Sequence, residues 1–389
     1  MSPDEWLPEI PDGLDPLSPN AGGPGDPKDV VGREEELNRL IEAVTIGGGA
    51  HVTGERRMGK TWLVKKLQDQ LASTATAIYV SAEGNPDSFR ARLLDELRRN
   101  RRVGHHVSRW EKEIGGEVRL NFGVFGITLT GKATKAASTK AESKDLDVLD
   151  LLSSASGGPV VLIIDEITSL CNELGPKQAA EFLGGLRNRR QSGGPPLVIS
   201  GSIGLHHALD DFTPVNDLWP VPVGPMKDAD AVVLAARLLL GIGVEPTSRL
   251  VGTIVRETSG IPFYVQGVVD QLRYRDDLNV DAVVTDCLGH NLWQTEHYLT
   301  RLRDYYGRKD EACARAILDV VAVTESPLSI DDIHAKVIAS HPTMSITRDR
   351  LLDLLIKLEK DNYLTREGDA DTMSSSLLAR IWRLHRRLP

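Results

Sequence analysis

A glycine-rich segment followed by lysine and threonine is the first feature of this chain that could do chemistry. It reads Gly54-x-x-x-x-Gly59-Lys60-Thr61 and directly follows a short predicted strand at 50–53, Ala-His-Val-Thr. Glycines let the backbone wrap so that successive N–H groups point at phosphate oxygens, and the start of a helix adds its positive dipole end. In this pattern the lysine reaches the β- and γ-phosphates, and the threonine hydroxyl binds Mg²⁺. The spacing therefore predicts a phosphate-binding loop.

A pair of carboxylates follows another predicted strand and could supply the acidic groups that a phosphate-binding loop lacks. Residues 157–164 form an apolar run typical of a strand buried on both faces of a parallel sheet, and Asp165 and Glu166 follow it. We expect Asp165 to hold the hydration shell of Mg²⁺ and Glu166 to polarise an attacking water, which favours hydrolysis over mere binding. The alternative is that the two acids only cap the helix that begins near Thr168.

Two serines end a further buried strand at 197–200, in the run Leu-Val-Ile-Ser-Gly-Ser. Ser200 or Ser202 could hydrogen-bond the γ-phosphate or the attacking water and so respond to the bound nucleotide. A turn or helix N-cap role explains the same serines equally well, and the sequence leaves both interpretations open.

The elements that must position these residues alternate along the chain. Predicted strands at 50–53, 76–81, 157–164 and 197–200 are separated by helical patterns at 62–72, 86–99 and 177–190. This alternation predicts an α/β fold with a parallel sheet and right-handed crossovers. An interruption at about 100–150 contains two alternating apolar runs, 118–122 and 125–129, which predict a β-hairpin insertion.

Composition and periodicity predict four parts. Residues 1–29 are rich in Pro and Gly and lack an apolar period, which indicates a flexible N-terminal arm, either a tail or an arm strapped onto the fold. Residues 30–225 are the α/β core, and 226–306 carry helical patterns only, including one predicted helix over 282–306. Residues 307–389 have the order helix, helix, helix, hairpin, which is that of a winged helix, and end in a basic helix.

The composition excludes several classes of protein. The chain of 389 residues has 46 Lys and Arg against 55 Asp and Glu, a formal net charge of −9, so its whole surface does not attract nucleic acid or membranes. Three cysteines are too few for a disulfide framework or a Cys-rich zinc site. No apolar run reaches the roughly 18 residues of a membrane span, and the N-terminal sequence lacks a signal-peptide pattern. We expect a cytoplasmic protein without membrane association.

Several motifs together resemble those of a known family. The run Val31-Gly32-Arg33-Glu34 precedes the loop, Ser-Gly-Ser-Ile-Gly occupies 200–204, and Ser-Gly-Ile-Pro occupies 259–262. With the loop and the acidic pair, these look like the archaeal-type or STAND-like P-loop ATPases, close to the AAA+ and origin-recognition ATPases. The resemblance spans about residues 30–385. It implies an ATPase core, a helical lid and a winged helix, with ATP and Mg²⁺ as ligands.

The resemblance also implies roles for individual residues. Val31 and Arg33 would lie against the adenine, and Gly260-x-Pro262 would contact the nucleotide from the lid, although a helix stop followed by a proline-led helix explains that motif too. The implied nucleotide contacts of the loop are Gly54, Glu55, Arg56, Arg57, Met58, Gly59, Lys60, Thr61 and Trp62; the implied catalytic groups are Lys60, Glu166, Ser200 and Ser202, and the implied metal ligands Thr61 and Asp165. The asparagine of many AAA+ sensor strands is missing. Arg187, Arg189 and Arg190 are candidate arginine fingers, or else ordinary helix-end arginines.

We therefore predict an ATP-binding, Mg²⁺-dependent, ATP-hydrolysing switch that couples its nucleotide state to self-assembly or to control of a protein partner. The alternative is an ATP-regulated DNA-binding regulator or loader that acts through the winged helix. Basic clusters at 98–102 and 380–387 could meet phosphates, but ion-paired or solvated surfaces are their ordinary role. The predicted recognition helix, 347–360, is near neutral, a property of winged helices that serve protein contacts.

Overall fold

The computed structural model describes residues 6–23, 25–46, 48–114, 119–121, 145–154, 159–202, 204–209, 213–324 and 326–389. They divide into two units, which we call the sheet unit, Asp26–Val223, and the helical unit, Met1–Gly25 with Gly224–Pro389. The chain therefore passes between the two units twice. Among the described residues, no helix combines the length and the apolar character that crossing a membrane requires.

A five-stranded parallel sheet forms the centre of the sheet unit. Its strands are β1 (Gly49–Thr53), β2 (Thr76–Ser81), β5 (Val160–Asp165), β6 (Leu197–Ser200) and β7 (Trp219–Pro222), in the spatial order β2-β5-β6-β1-β7. The predicted α/β fold with a parallel sheet is confirmed. Strand β7 escaped prediction because its two prolines cannot donate to a ladder. Among the described strands it pairs with β1 alone, at the edge of the sheet, where prolines are tolerated.

Helices cover both faces of this sheet. They are α1 (Glu34–Thr45), α2 (Lys60–Leu71), α3 (Pro86–Arg99), α4 (Gly104–Ile114), α5 (Val148–Ser154), α6 (Ile167–Gln191) and α7 (Leu205–Ala208). Helix α3 begins where Asn85 caps the Ser88 amide and Pro86 takes the first turn. Helix α6 extends further towards its N-terminus than predicted and is kinked at Gly175, which precedes Pro176.

The predicted hairpin insertion differs from what the structure describes. Residues Arg119–Asn121 form a strand, β3, whose described partner is β4 (Asp145–Asp147), in parallel. A parallel pair requires a long connection, whereas a hairpin would be antiparallel. The second predicted strand, 125–129, lies outside the described residues, and helices α4 and α5 occupy other parts of the predicted insertion.

The first half of the helical unit contains only helices. They are α8 (Asp228–Gly241), α9 (Ser248–Glu257), α10 (Pro262–Leu272), α11 (Val280–Gly289) and α12 (His297–Tyr305). The single helix predicted over 282–306 is therefore two helices. Asn291 and Gln294, between them, adopt positive φ angles of 52° and 50°, which an α-helix does not allow.

The second half of the helical unit combines helices with a small antiparallel sheet. Its elements are α13 (Arg308–Ala322), β8 (Leu328–Ser329), α14 (Ile330–Ser340), α15 (Arg348–Lys360), β9 (Leu364–Glu367), β10 (Ala370–Met373) and α16 (Ser376–Arg386). The strands lie in the order β8-β10-β9. The predicted three helices followed by a strand, turn and return strand are therefore present.

The N-terminal arm lies against helices of the helical unit. The Leu17 amide donates to the Arg237 carbonyl at 2.8 Å, and the Asn20 amide donates to Gln266 Oε1 at 3.0 Å. Two helical glycines make room for the arm: a Cβ at Gly241 would lie 2.0 Å from the Leu17 carbonyl oxygen, and one at Gly252 would lie 2.6 Å from that of Trp6. Of the two arrangements left open by the sequence, the structure has the strapped-on arm.

Substituting Gly241→Ala should release the arm. The added methyl would overlap the Leu17 carbonyl, so we expect the Leu17 amide to lose its hydrogen bond and to exchange with solvent faster, as measured by hydrogen exchange. Gly184→Ala is the control, because nothing lies within 4 Å of its Cβ position; this helical alanine should stabilise the protein by about 0.5–1 kcal/mol. Unchanged exchange at Leu17 in Gly241→Ala would contradict the arm contact.

Candidate functional site

The phosphate loop contains two positions whose backbone geometry favours glycine. Gly54 follows β1 with φ 152°, and a Cβ there would lie 2.1 Å from the Val223 carbonyl oxygen. Gly59, immediately before α2, has φ 88°, in the left-handed region. These constraints explain the two fixed glycines of the motif through backbone geometry. They also place Lys60 as the first residue of α2, at the N-terminal end of the helix.

Lys60 is buried beside its own loop and the two predicted acids. Its side chain is 5% exposed, and its Nζ donates to the carbonyl oxygens of Gly54 at 3.0 Å and Glu55 at 2.8 Å. Burial lowers the pKa of Lys60, while the negative charges of Glu166, Glu55 and Asp165 act to raise it. The structure therefore brings Lys60, Asp165 and Glu166 within electrostatic reach of one another.

Asp165 is the last residue of β5 and is only 2% exposed. Each of its carboxylate oxygens accepts a hydrogen bond, Oδ2 from the Tyr79 hydroxyl at 3.0 Å and Oδ1 from the Glu166 amide at 3.0 Å. A buried carboxylate with two fixed donors has a defined orientation. This orientation suits it to hold the water shell of a magnesium ion.

Glu166 does not cap the helix that follows it. It occupies the N-cap position of α6 with φ 56° and ψ 36°, a left-handed conformation, and its side chain makes no capping hydrogen bond. Such a conformation is uncommon and costly for a residue with a Cβ, and residues held in it tend to cluster at functional sites. Burial raises the pKa of Glu166, with the Lys60 charge acting in the opposite direction. The helix-cap alternative for this side chain is therefore not what the structure contains.

The motif around Arg33 is attached to the phosphate loop. Arg33 is buried, adopts φ 72°, and its Nη2 donates to the Met58 carbonyl oxygen at 3.1 Å while Nη1 pairs with Glu36 at 2.9 Å. Lys66 of α2 donates to the Val30 carbonyl oxygen at 3.1 Å. Val31, which is partly buried, therefore lies between two residues tied to the loop and its helix. A contact of Val31 or Arg33 with adenine stays a prediction.

Ser200 is the better placed of the two candidate sensor serines. It ends β6, the strand between β5 and β1, and is fully buried. Within the described part of the chain its Oγ has no hydrogen-bond partner, an arrangement that fits a group meant for a ligand. Ser202 instead uses its backbone, since its carbonyl oxygen accepts from Thr168 Oγ1 at 3.2 Å. Together with Lys60, Thr61, Asp165 and Glu166, Ser200 supplies polar groups that suit a nucleotide phosphate and a hard cation.

Other predicted residues lie elsewhere or have partners. Pro262 is the first residue of α10 in the helical unit, after Gly260 with φ 62°, so its predicted nucleotide contact stays a prediction. Two of the candidate finger arginines form ion pairs within the sheet unit, both with Asp217; the Nε of Arg187 lies 3.8 Å from that carboxylate, and Arg190 contacts it directly. These pairings match the ordinary helix-end role of such arginines.

Tyr79 is the site residue that the sequence interpretation missed. It lies on β2, which is next to β5 in the sheet, and donates to Asp165. The sequence signal was a single polar aromatic residue in an apolar strand. The neighbour of that strand cannot be read from the sequence, because the strand order is set by the crossovers and not by the order along the chain.

The charge of Glu166 should destabilise the protein when nucleotide and metal are absent. Its pKa is raised in the folded state, so the carboxyl binds its proton more tightly there than in the unfolded chain, and its cost grows as pH rises through the folded pKa. Glu166→Gln should therefore increase the free energy of unfolding at pH 7.5, and the gain should shrink towards pH 5, in denaturant titrations with EDTA. Glu173→Gln, an exposed position on α6, is the control. A gain that is independent of pH would contradict this electrostatic cause.

Comparisons with known proteins agree with this geometry. Residues 47–209 match the family model described as an AAA domain. A Walker-type ATPase of Pyrococcus abyssi has a similar fold, with a TM-score of 0.64 at 16% identity, over 92% of this chain and 97% of that chain. No curated protein matches the sequence.

Two further solved structures show weaker likeness. The Orc1 protein of Aeropyrum pernix in complex with DNA is 14% identical, with a TM-score of 0.42 over 92% of this chain and 95% of that chain. The RuvB Holliday junction branch migration motor of Thermotoga maritima is 15% identical, with a TM-score of 0.40 over 92% of this chain and 96% of that chain. Residues 47–209, which contain the phosphate loop and the acidic pair, are thus similar to an AAA domain, on a fold like that of a Walker-type ATPase.

Proposed function

We propose that this protein binds ATP with Mg²⁺ and hydrolyses it to ADP and phosphate, and that the nucleotide state controls self-assembly or a protein partner. The observation that carries the proposal is the convergence of Lys60, Asp165 and Glu166, whose charges act on one another beside the phosphate loop. The archaeal-type or STAND-like motifs at 31–34 and 259–262 support the switch role.

The residues of the site have separable tasks in this proposal. The Lys60 ammonium already lies against the loop, where it donates to the carbonyl oxygens of Gly54 and Glu55. When nucleotide binds, it would donate to phosphate oxygens instead. Bound Mg²⁺ would neutralise charge on the phosphates, with Thr61 and Asp165 as the groups that hold it. Glu166 accepts the proton of the attacking water, a task that its raised pKa assists. The Ser200 hydroxyl, which has no partner among the described residues, would hydrogen-bond the γ-phosphate or that water.

The C-terminal part of the helical unit, 307–389, is proposed to be a winged helix that contacts protein. On α15, Arg348 pairs with Asp331 at 2.9 Å, and Arg350 contacts Asp310, which also lies 3.8 Å from Lys357. Arg350 also lies 3.6 Å from Asp353, so each of these cations faces a carboxylate, which weakens its attraction for DNA phosphates. The pairing favours a protein partner over the DNA-binding alternative.

The proposed location is the cytoplasm. The three cysteines are free, which fits a reducing compartment.

Two substitutions should separate binding from hydrolysis. Lys60→Ala removes the cation that faces the phosphates, so we expect ATP affinity to fall at least tenfold in calorimetric titrations. Glu166→Gln keeps the shape of the side chain but removes the proton acceptor, so it should bind ATP and lower kcat by a factor of about 10²–10⁴ in a phosphate-release assay. Lys177→Ala, an exposed lysine of α6, is the charge-matched control. Wild-type protein that binds no ATP would refute the proposal.

Duplex DNA offers a test of the alternative function. If α15 serves protein contacts, the full chain should bind a random duplex weakly, with a Kd above about 10⁻⁵ M at 50 mM salt, both with and without ATP. Fluorescence anisotropy measures this directly. Tight binding that weakens steeply with salt, and is lost in an Arg348→Ala and Lys357→Ala double variant, would favour the DNA-binding alternative instead.

A further inference from the structure

The Tyr79 hydroxyl reaches Asp165 because of the register between β2 and β5. Tyr79 lies opposite Ile163, and Ser81 lies opposite Asp165, in a parallel pair. Residues two apart on a strand share a face, so Tyr79 and Asp165 lie on one side of the sheet, offset by about 6.6 Å along the strands. A tyrosine side chain is long enough to cover that offset, and its hydroxyl lies 3.0 Å from Asp165 Oδ2. The hydroxyl of the nearer residue, Ser81, instead accepts a hydrogen bond from the Glu83 amide at 3.3 Å.

The ring of Tyr79 also lies near the helix that begins at the phosphate loop. The Nζ of Lys65, on α2, lies 5.7 Å from the centre of the Tyr79 ring and 4.8 Å from that of Trp62. Both distances are within the range of cation–π contacts. Trp62 directly follows Thr61, so one cation links the start of α2 to the tyrosine. The ring of Tyr79 is therefore contacted by Lys65 of α2, and its hydroxyl is bonded to Asp165.

This arrangement leaves Asp165 able to accept further hydrogen bonds. A carboxylate offers about four lone-pair sites, and the donors at 3.0 Å from Tyr79 and from the Glu166 amide take one on each oxygen. Each oxygen then retains one site, and the carboxylate cannot rotate without breaking both bonds. A buried acceptor that is fixed in advance binds a hydrated cation without an ordering cost at the moment of binding.

We propose that Tyr79 is a positioning residue for the magnesium site, acting through Asp165. This inference rests on the proposed function, because it assumes that Asp165 serves a nucleotide-bound Mg²⁺. Tyr79 itself touches neither the nucleotide nor the metal. Loss of the Tyr79 hydroxyl should therefore weaken the enhancement of ATP affinity by Mg²⁺ and leave the ATP affinity without metal unchanged. Loss of a purely structural hydroxyl would change both quantities or neither.

Tyr79→Phe removes the hydroxyl and keeps the ring. Calorimetric titration of ATP at varied Mg²⁺, and again in EDTA, measures the two parts of binding. We expect the Mg²⁺ concentration for half-maximal enhancement of ATP affinity to rise about tenfold, the effect of losing one hydrogen bond to a charged group. Affinity in EDTA should stay within about twofold of wild type. Tyr274→Phe, at an exposed tyrosine of the helical unit, should match wild type in both conditions.

A second variant guards against an indirect effect on folding. In an Asp165→Ala background, Tyr79→Phe should cause no further change in the Mg²⁺ dependence, because the acceptor of the bond that it removes is already absent. Electron paramagnetic resonance of Mn²⁺ bound with ADP gives an independent measure of metal affinity. Unchanged Mg²⁺ and Mn²⁺ dependence in Tyr79→Phe, or an equal loss of affinity in EDTA, would overturn this inference alone. Wild-type protein that binds no ATP would overturn the proposed function and this inference with it.

Discussion

The burial of one ammonium group beside two carboxylates is the constraint on which the site depends. Lys60 is stripped of water and held by two loop carbonyls, and the charges of Asp165 and Glu166 offset part of that cost. Glu166 bears a cost of its own, since it is desolvated and adopts a left-handed backbone conformation. A phosphate-bearing ligand with its cation would satisfy all three groups at once, which is why the arrangement favours a nucleotide site over a purely structural ion cluster.

The order of the strands in the sheet places the groups of the site next to one another. With β6 between β1 and β5, the carboxyl ends of three neighbouring parallel strands bring together the phosphate loop, Ser200 and the acidic pair. Ligands of open α/β sheets bind at the carboxyl ends of the strands. Strand β2, on the far side of β5, then contributes Tyr79 to the same cluster. The phosphate loop, Ser200, the acidic pair and Tyr79 thus come from four separate parts of the sequence, and the order of the strands brings them together.

The helical unit depends on close backbone packing of the arm and on surface ion pairs. Its arm is accommodated by Gly241 and Gly252, where a side chain would collide with the arm backbone. The arginines of α15 are neutralised by neighbouring acids, which turns a region that could attract phosphates into a near-neutral surface. These ion pairs show that composition is a weak guide to surface chemistry until the partners of each charge are known.

The sequence by itself determined the features that local spacing and periodicity encode. These are the phosphate loop, the acidic pair, the alternation of strands and helices, and the helical character of the C-terminal half. The pairing of β3 with β4, the break between α11 and α12, the edge strand β7 and the docking of the arm depended on tertiary structure. So did the bond from Tyr79 to Asp165 and the isolation of the Ser200 hydroxyl among the described residues. The physical reason is the same in each case: these features depend on which distant segments become neighbours, and burial and strand order fix that choice only when the whole chain has folded.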